Sequence, residues 1–263
     1  MAERVAKRGG LGIAQIPFWL TYVFLYVPII IVVIMSFNAS DNLFVWSGFS
    51  LQWYPTVFQN SAIMEGLGNT LIVAAGATVI AVICGTLLAV GIQRYTRGGL
   101  IRAFATAPAL LPDLLLAIGL LSLFALLQFT LGLYSVMIAH SVFATAFVTA
   151  IVLARLAHVD PSLEEASRDL GAGHVRTFLR VTVPQLAPGI LAGALLAFTL
   201  SLDEFVIAFF TTAPTTPTLP IVIYSMVRFG VTPEINALAT ILLVVSVTAV
   251  LVAQRLTKFT ENL

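Results

Sequence analysis

Apolar residues in this chain gather in long, nearly unbroken runs instead of alternating with polar ones at a helix or strand period. Six runs are long enough to cross a bilayer: 18–37, 67–92, 103–128, 133–156, 189–211 and 235–253. A spanning helix needs about 20 apolar residues, because about 1.5 Å of rise per residue must cover about 30 Å of hydrocarbon. The first run exceeds the usual apolar core of a cleavable signal and no A-x-A site follows it, so it reads as a retained helix. The pattern predicts an all-α, polytopic membrane protein with six transmembrane helices.

Composition agrees. Hydrophobic residues make up 59% of the chain and charged residues 10%, against about 45–50% and about 25% in globular domains; mean hydropathy is +1.03. There is too little polar surface for a water-facing particle, and the lipid bilayer is the implied solvent. A net charge of +1 removes any argument for nucleic-acid binding, and a single cysteine excludes an internal disulfide framework. The placement of charge says more than its total. Arg4, Lys7 and Arg8 precede the first run; Arg94, Arg97 and Arg102 join the second to the third. Arg155, Arg168, Arg176 and Arg180 lie in or beside the fourth connection, and Arg255 and Lys258 follow the sixth run. Only Arg228 falls on the opposite side, so the positive-inside rule puts both termini in the cytoplasm. Adding or dropping a span would scatter these charges onto both faces.

The outer connections differ in character. The first carries Trp46, Trp53 and Tyr54, residue types that anchor span ends at the interface. The second holds Pro214, Pro217, Pro220 and Pro233 around the apolar stretch 219–227, which is too short to cross and reads as a re-entrant or surface helix.

The inner connection 157–188 is long, charged and organised. Ser162 and Glu165 have capping-box spacing, and Pro161 suits a helix start. Gly171 and Gly173 supply a break, after which a second short helix over 174–181 is expected to end before Pro184. Leu170, Ala172, Val175, Phe178 and Leu179 are too many apolar residues to leave in water. They pack either on the chain's own inner ends or on a cytoplasmic partner.

The segment from Glu165 through Ala166, Ser167, Arg168, Asp169 and Leu170 to Gly171 and Ala172, with Val181-Thr182-Val183-Pro184 beyond it, resembles the EAA loop of binding-protein-dependent ABC importer permeases. That pattern is approximately E-A-A-x-x-x-G followed by I-x-L-P. The third position is Ser167 here where Ala is usual, a change that preserves size. The resemblance implies a type I importer permease (MetI-like) fold and a coupling helix that docks on an ATP-binding subunit through Glu164, Glu165, Ala166, Ser167, Asp169, Leu170, Gly171, Ala172 and Pro184, with Glu165 and Gly171 at its heart. Ser201-Leu202-Asp203-Glu204-Phe205 and the following residues to Ala237 are similar to the second permease subunit of spermidine/putrescine importers. The implied organisation is an N-terminal tail, first span and outer loop over 1–65, a permease domain over 66–255 and a cytoplasmic tail over 256–263. The implied partners are a homologous permease subunit in a heterodimer, two ATP-binding subunits that hold ATP and Mg, and an external solute-binding protein, all at a bacterial inner membrane.

Three carboxylates, Asp113, Asp203 and Glu204, fall within apolar runs. An acid near the bilayer centre costs at least about 2.5 kcal/mol on insertion scales, so it faces a bundle interior, a water-filled cavity or a partner. A polyamine needs carboxylates for its ammonium groups and apolar or aromatic walls for its methylenes. In a continuous fifth helix Asp203 and Phe210 share a face, whereas Asp203 and Glu204 point about 100° apart. Asp203, Glu204, Phe210, Asp113 and Tyr224 are the candidate substrate pathway. Each acid also has a structural alternative: Asp203 or Glu204 as a cap or a partner of a neighbouring helix or Arg228, and Asp113 as a hydrogen-bonding residue beside Pro112 and Pro108, where a bend is expected.

Other chemistry is missing from the sequence. There is no G-x-x-x-x-G-K-[ST], so ATP must be held elsewhere; no cofactor and no metal site are expected in this chain. His140, His158 and His174 lack ligand spacing, Cys84 reads as a buried thiol, and Asn38-Ala39-Ser40 as a chance sequon. No nucleophile stands with a base. The reading is a transport subunit, not an enzyme, carrying spermidine or putrescine. The alternatives are an importer for another amine or small organic solute, such as an opine or 4-aminobutyrate, and a secondary transporter acting alone.

Overall fold

The structure, a computed structural model, describes residues 11–42, 45–96, 99–230 and 232–261, with the side chains of 11–14 and 249–261 left aside. Helices account for nearly all of it; among the described residues the one strand-like feature is an isolated bridge between Asn38 and Phe49. The chain divides into two compact units, Met1–Ile63 with Ile223–Leu263, and Met64–Val222.

In the first unit, α1 (Leu11–Met35) and α2 (Trp53–Gln59) both pack on α12 (Pro233–Glu261). The loop after α1 folds around Asn38, which is 2% exposed. Its Nδ2 donates to the Val45 carbonyl at 2.8 Å, its Oδ1 accepts from Ser40 and Ser47 amides, and its carbonyl accepts from Trp53 Nε1 at 2.8 Å. Tyr54 Oη pairs with Ser36 Oγ at 2.8 Å. Trp53 and Tyr54 therefore build the loop, while Trp46 stays exposed as an interface anchor would be. Burial and full engagement of Asn38 also exclude it as a glycan acceptor. Asn60 Nδ2 donates to Glu234 Oε1 at 3.0 Å, tying the end of α2 to the first turn of α12. The stretch expected as a re-entrant or surface helix is α11 (Leu219–Phe229), too short to cross.

The second unit is built on α3 (Ser61–Tyr95), α6 (Leu133–Leu156) and α9 (Val183–Asp203). Their shared core contains Ala81, Ala89, Ala144, Val148, Val152, Leu186 and Ala197. Small residues let helices approach where lipid supplies no hydrophobic drive between them. At Gly85 a Cβ would lie 2.8 Å from Val148, so a larger residue would force α3 off α6. Threonine hydroxyls bond back to their own helices, as Thr149 Oγ1 does to the Thr145 carbonyl at 2.7 Å.

Among the described residues four helical stretches are long and apolar enough to cross a membrane, Gln15–Met35, Ser61–Tyr95, Leu133–Leu156 and His174–Asp203, and a bent pair of helices reaches that length only when taken together. The bent pair corrects the continuous third helix expected from sequence. α4 (Gly99–Thr106) and a 3₁₀ turn (Ala107–Ala109) meet α5 (Asp113–Leu126) at 99°. Pro108 and Pro112 remove two amide donors, and Pro112 disfavours helical backbone at Leu111. The sixth run lies in α12, a 29-residue helix whose side chains are described to Thr248. The fifth run also differs from expectation: α9 stops at Asp203, Glu204 is extended, and α10 (Val206–Thr211) restarts.

Candidate functional site

The inner connection folds as α7 (Ser162–Asp169), a turn, and α8 (His174–Thr177), then passes through one π-helical turn (Phe178–Thr182) directly into α9. The second short helix thus does not end before Pro184. Pro184 sits inside this continuous helical stretch without an amide to donate, and the π-helical turn just before it takes up the break in the hydrogen-bond ladder. The expected capping box is also absent: Ser162 makes no side-chain cap, and Asp160 Oδ1 instead accepts from the Ser162 amide at 2.9 Å. That bond holds the Asp160 carboxyl below the usual carboxylate range. Gly171 turns the chain at φ +83°, where a side chain would be strained, and its amide donates to the Arg168 carbonyl at 2.8 Å.

The two adjacent glutamates of α7 go opposite ways, as neighbours about 100° apart on a helix must. Glu164 is buried; it pairs with Arg94 of α3, accepts from Thr182 Oγ1 at 2.6 Å, and stands 3.7 Å from Arg168. Glu165 is exposed, as are Ala166, Asp169, Leu170 and Gly171, with Ser167 and Ala172 half-buried. Ser167 Oγ pairs with the Thr177 hydroxyl at 3.1 Å, locking α7 on α8. Leu170 is 89% exposed and Val175 72%, while Phe178 packs on the core. Beside them Leu163, Leu170, Arg176, Arg180 and Pro184 line an open groove of about 630 Å³. The loop is held from within and shows outward an apolar face with charges of both signs, Glu165 and Asp169 beside Arg176 and Arg180. The inward role of Glu164 had a signal in the sequence, the i,i+4 spacing to Arg168.

Of the second group of predicted residues, the three acids lie at the two helix breaks. Asp113 opens α5 immediately after the 99° bend, and Asp203 and Glu204 stand at the end of α9. α5 packs against α10, and the carboxylates of Asp113 and Asp203 are close enough to act electrostatically on that of Glu204. Glu204 Oε1 accepts from the Ile207 amide at 2.7 Å and so caps α10, the structural alternative raised for it. Asp113 and Asp203 are exposed and Glu204 is half-buried. Because the helix breaks at Glu204, the shared face expected for Asp203 and Phe210 does not apply. Phe210 packs in the core of α5, α6 and α10, 5.6 Å from Phe209, which is 44% exposed. Tyr224, on α11, is 39% exposed. The carboxyl end of α9 adds the negative pole of a helix dipole beside Asp203. Broken helices of this kind bring charged groups and helix ends together at membrane depth.

Sequence reasoning passed over His140. It is 1% exposed on α6, and its Nδ1 shares a 2.7 Å hydrogen bond with Ser201 Oγ, fastening α9 two residues before Asp203. Its place inside an apolar run was the available signal. Cys84, expected to be buried, is exposed on α3. Among the described residues no cluster of His, Cys, Asp or Glu could hold a metal ion.

Residues 77–261 match the family described as "Binding-protein-dependent transport system inner membrane component". The chain is 42% identical over 233 residues to the putrescine transport system permease protein PotI of Escherichia coli (strain K12), covering 85% of this chain and 83% of that one. It is 39% identical over 235 residues to the spermidine/putrescine transport system permease protein PotC of the same organism, covering 89% of each. Among solved structures, a chain of a bacterial ABC transporter involved in the import of the acidic polysaccharide alginate superposes with a TM-score of 0.74 at 19% identity, covering 94% of both chains.

Proposed function

Because the chain belongs to the family of binding-protein-dependent transport system inner membrane components, a multi-pass permease subunit of an ABC importer, we propose that it moves polyamines, putrescine or spermidine, across a bacterial inner membrane. The observation that carries the substrate class is the likeness, over most of the chain, to permeases of putrescine and spermidine/putrescine systems. The chemistry of the helix breaks suits it. A polyamine is a flexible polycation, and Asp113, Asp203 and Glu204 offer clustered negative charge beside the negative end of α9. Phe209 and Phe210 are the candidate apolar walls for its methylenes beside the acids.

In this reading the chain pairs with a second, homologous permease and receives substrate from an external binding protein, with both termini in the cytoplasm. It rests through the exposed side of α7 on one of two ATP-binding subunits, which hold the ATP and Mg. ATP binding closes those subunits, the docking loops follow, and the spans alternate access. This chain itself binds no cofactor and hydrolyses nothing.

The test is ATP-driven uptake by the assembled transporter in proteoliposomes, with labelled putrescine, spermidine and 4-aminobutyrate compared. Saturable uptake of a polyamine that excess 4-aminobutyrate does not compete is the expected result. Preference for 4-aminobutyrate, or uptake without any ATP-binding subunit, would overturn the proposal.

A further inference from the structure

The docking loop is covalently continuous with α6 and α9 alone, yet its one buried acid, Glu164, is held by α3. Arg94, in the last turn of α3, pairs with Glu164, whose side chain is 7% exposed. Thr182, in the π-helical turn leading into α9, donates to the same oxygen at 2.6 Å, and Arg94 Nη2 reaches the Thr182 hydroxyl at 3.5 Å. Three helical segments, distant in sequence, converge on one carboxylate. Such a junction resists separation, because pulling Arg94 away leaves the buried carboxylate with only the more distant Arg168 to answer it.

Resting on the proposed docking role of the loop, we propose that the Arg94–Glu164–Thr182 junction is a latch that makes α3 travel with α7. The stroke of the ATP-binding subunit then reaches a span that the loop does not join through the backbone. Arg94, Glu164 and Thr182 are positioning residues. The Glu164-Glu165 pair divides the work: Glu165, exposed, faces the docked partner, and Glu164, inward, transmits the displacement. α3 is suited to receive it, since it runs unbroken for 35 residues and meets α6 closely at Gly85. Ser167 and Thr177 keep α7 and α8 together, so the loop moves as a piece.

The experiment compares Arg94→Gln, Glu164→Gln and the double variant in the assembled transporter, with subunit assembly, ATP hydrolysis and putrescine uptake read separately. Arg94→Gln leaves the buried carboxylate with only the more distant Arg168, Glu164→Gln leaves a half-buried guanidinium without its acid, and the double removes both charges. The latch predicts that the double variant assembles as the parent does while uptake per ATP hydrolysed stays down about tenfold. Arg94→Lys, which keeps the charge, retains most of the coupling. Recovery of uptake together with assembly in the double variant would reduce the pair to charge balance and overturn the latch; so would failure of the double variant to assemble. A second readout needs no substrate: spin labels at the exposed Tyr95 and Leu170 positions in a Cys84→Ser background. Their separation is expected to hold between nucleotide-free and vanadate-trapped states in the parent and to change in the double variant. A change in the parent sinks the latch. A parent that keeps this distance but takes up no polyamine counts against the substrate assignment instead.

Discussion

Glu164 and Asp203 are both acids set against α9, one near its start and the other at its end, and their surroundings differ in kind. Glu164 is buried and answered by Arg94, Arg168 and Thr182. Asp203 is exposed, stands with Asp113 and Glu204, and has no basic partner among the described side chains of Met64–Val222. A compensated buried charge makes a rigid joint. Acids gathered without a counter-charge, where such residues cost energy, are poised for a visiting cation. One chain thus holds a compensated acid near the start of α9 and an uncompensated acid cluster at its end, the latter being the proposed substrate contact.

The strongest challenge to that contrast is to neutralise the receptive end. Asp113→Asn with Asp203→Asn should lower putrescine uptake about a hundredfold, since hydrogen bonds to charged groups contribute about 1.5–3 kcal/mol each. The ATP-binding subunit should still co-purify; loss of that subunit, with uptake per assembled complex unchanged, would make the cluster structural as well. A smaller effect sharpens the other end. Glu165→Ala should weaken retention of the ATP-binding subunit about tenfold, as for a charged contact at an interface, without lowering the unfolding temperature of the isolated chain. A drop in that temperature would mean that Glu165 supports the fold, as Glu164 does.

The smallest effect concerns Asp160, which caps the first turn of α7. Its carboxyl lies below the ordinary range through its bonds with Ser162. Its contribution is therefore complete above the unfolded-state value and is lost as pH falls through the depressed one. Protection of the Ser162 amide, taken relative to its intrinsic exchange rate at each pH, should be high near neutrality and fall in acid. Asp160→Ala should exchange quickly throughout, while Asp160→Asn, whose amide oxygen still accepts, should lose the pH dependence and keep the protection.

The docking loop was largely legible in the sequence because its signals are local. Gly171 needs its backbone turn, and the Glu164–Arg168 spacing lies within a single helix. The misreadings there were also local: Asp160 takes the Ser162 amide at the helix start, and a π-helical turn lets the helix run on through Pro184. The pathway residues were picked out individually, as acids in apolar runs, but not as a group. Phe210 was put on a face with Asp203 by assuming a continuous helix, which the extended Glu204 interrupts.

What the sequence determined by itself was therefore the solvent, the class and the address of the parts: apolar runs of bilayer length, one-sided basic charge and a loop motif all act over short distances along the chain. What the tertiary structure decided was which of those parts meet. Asp113 comes near enough to Glu204 for their charges to interact, and Arg94 reaches Glu164, because two helix breaks and small-residue packing bring remote segments together. Hydropathy cannot encode such meetings, since it records what each residue prefers around it and not which residue supplies it.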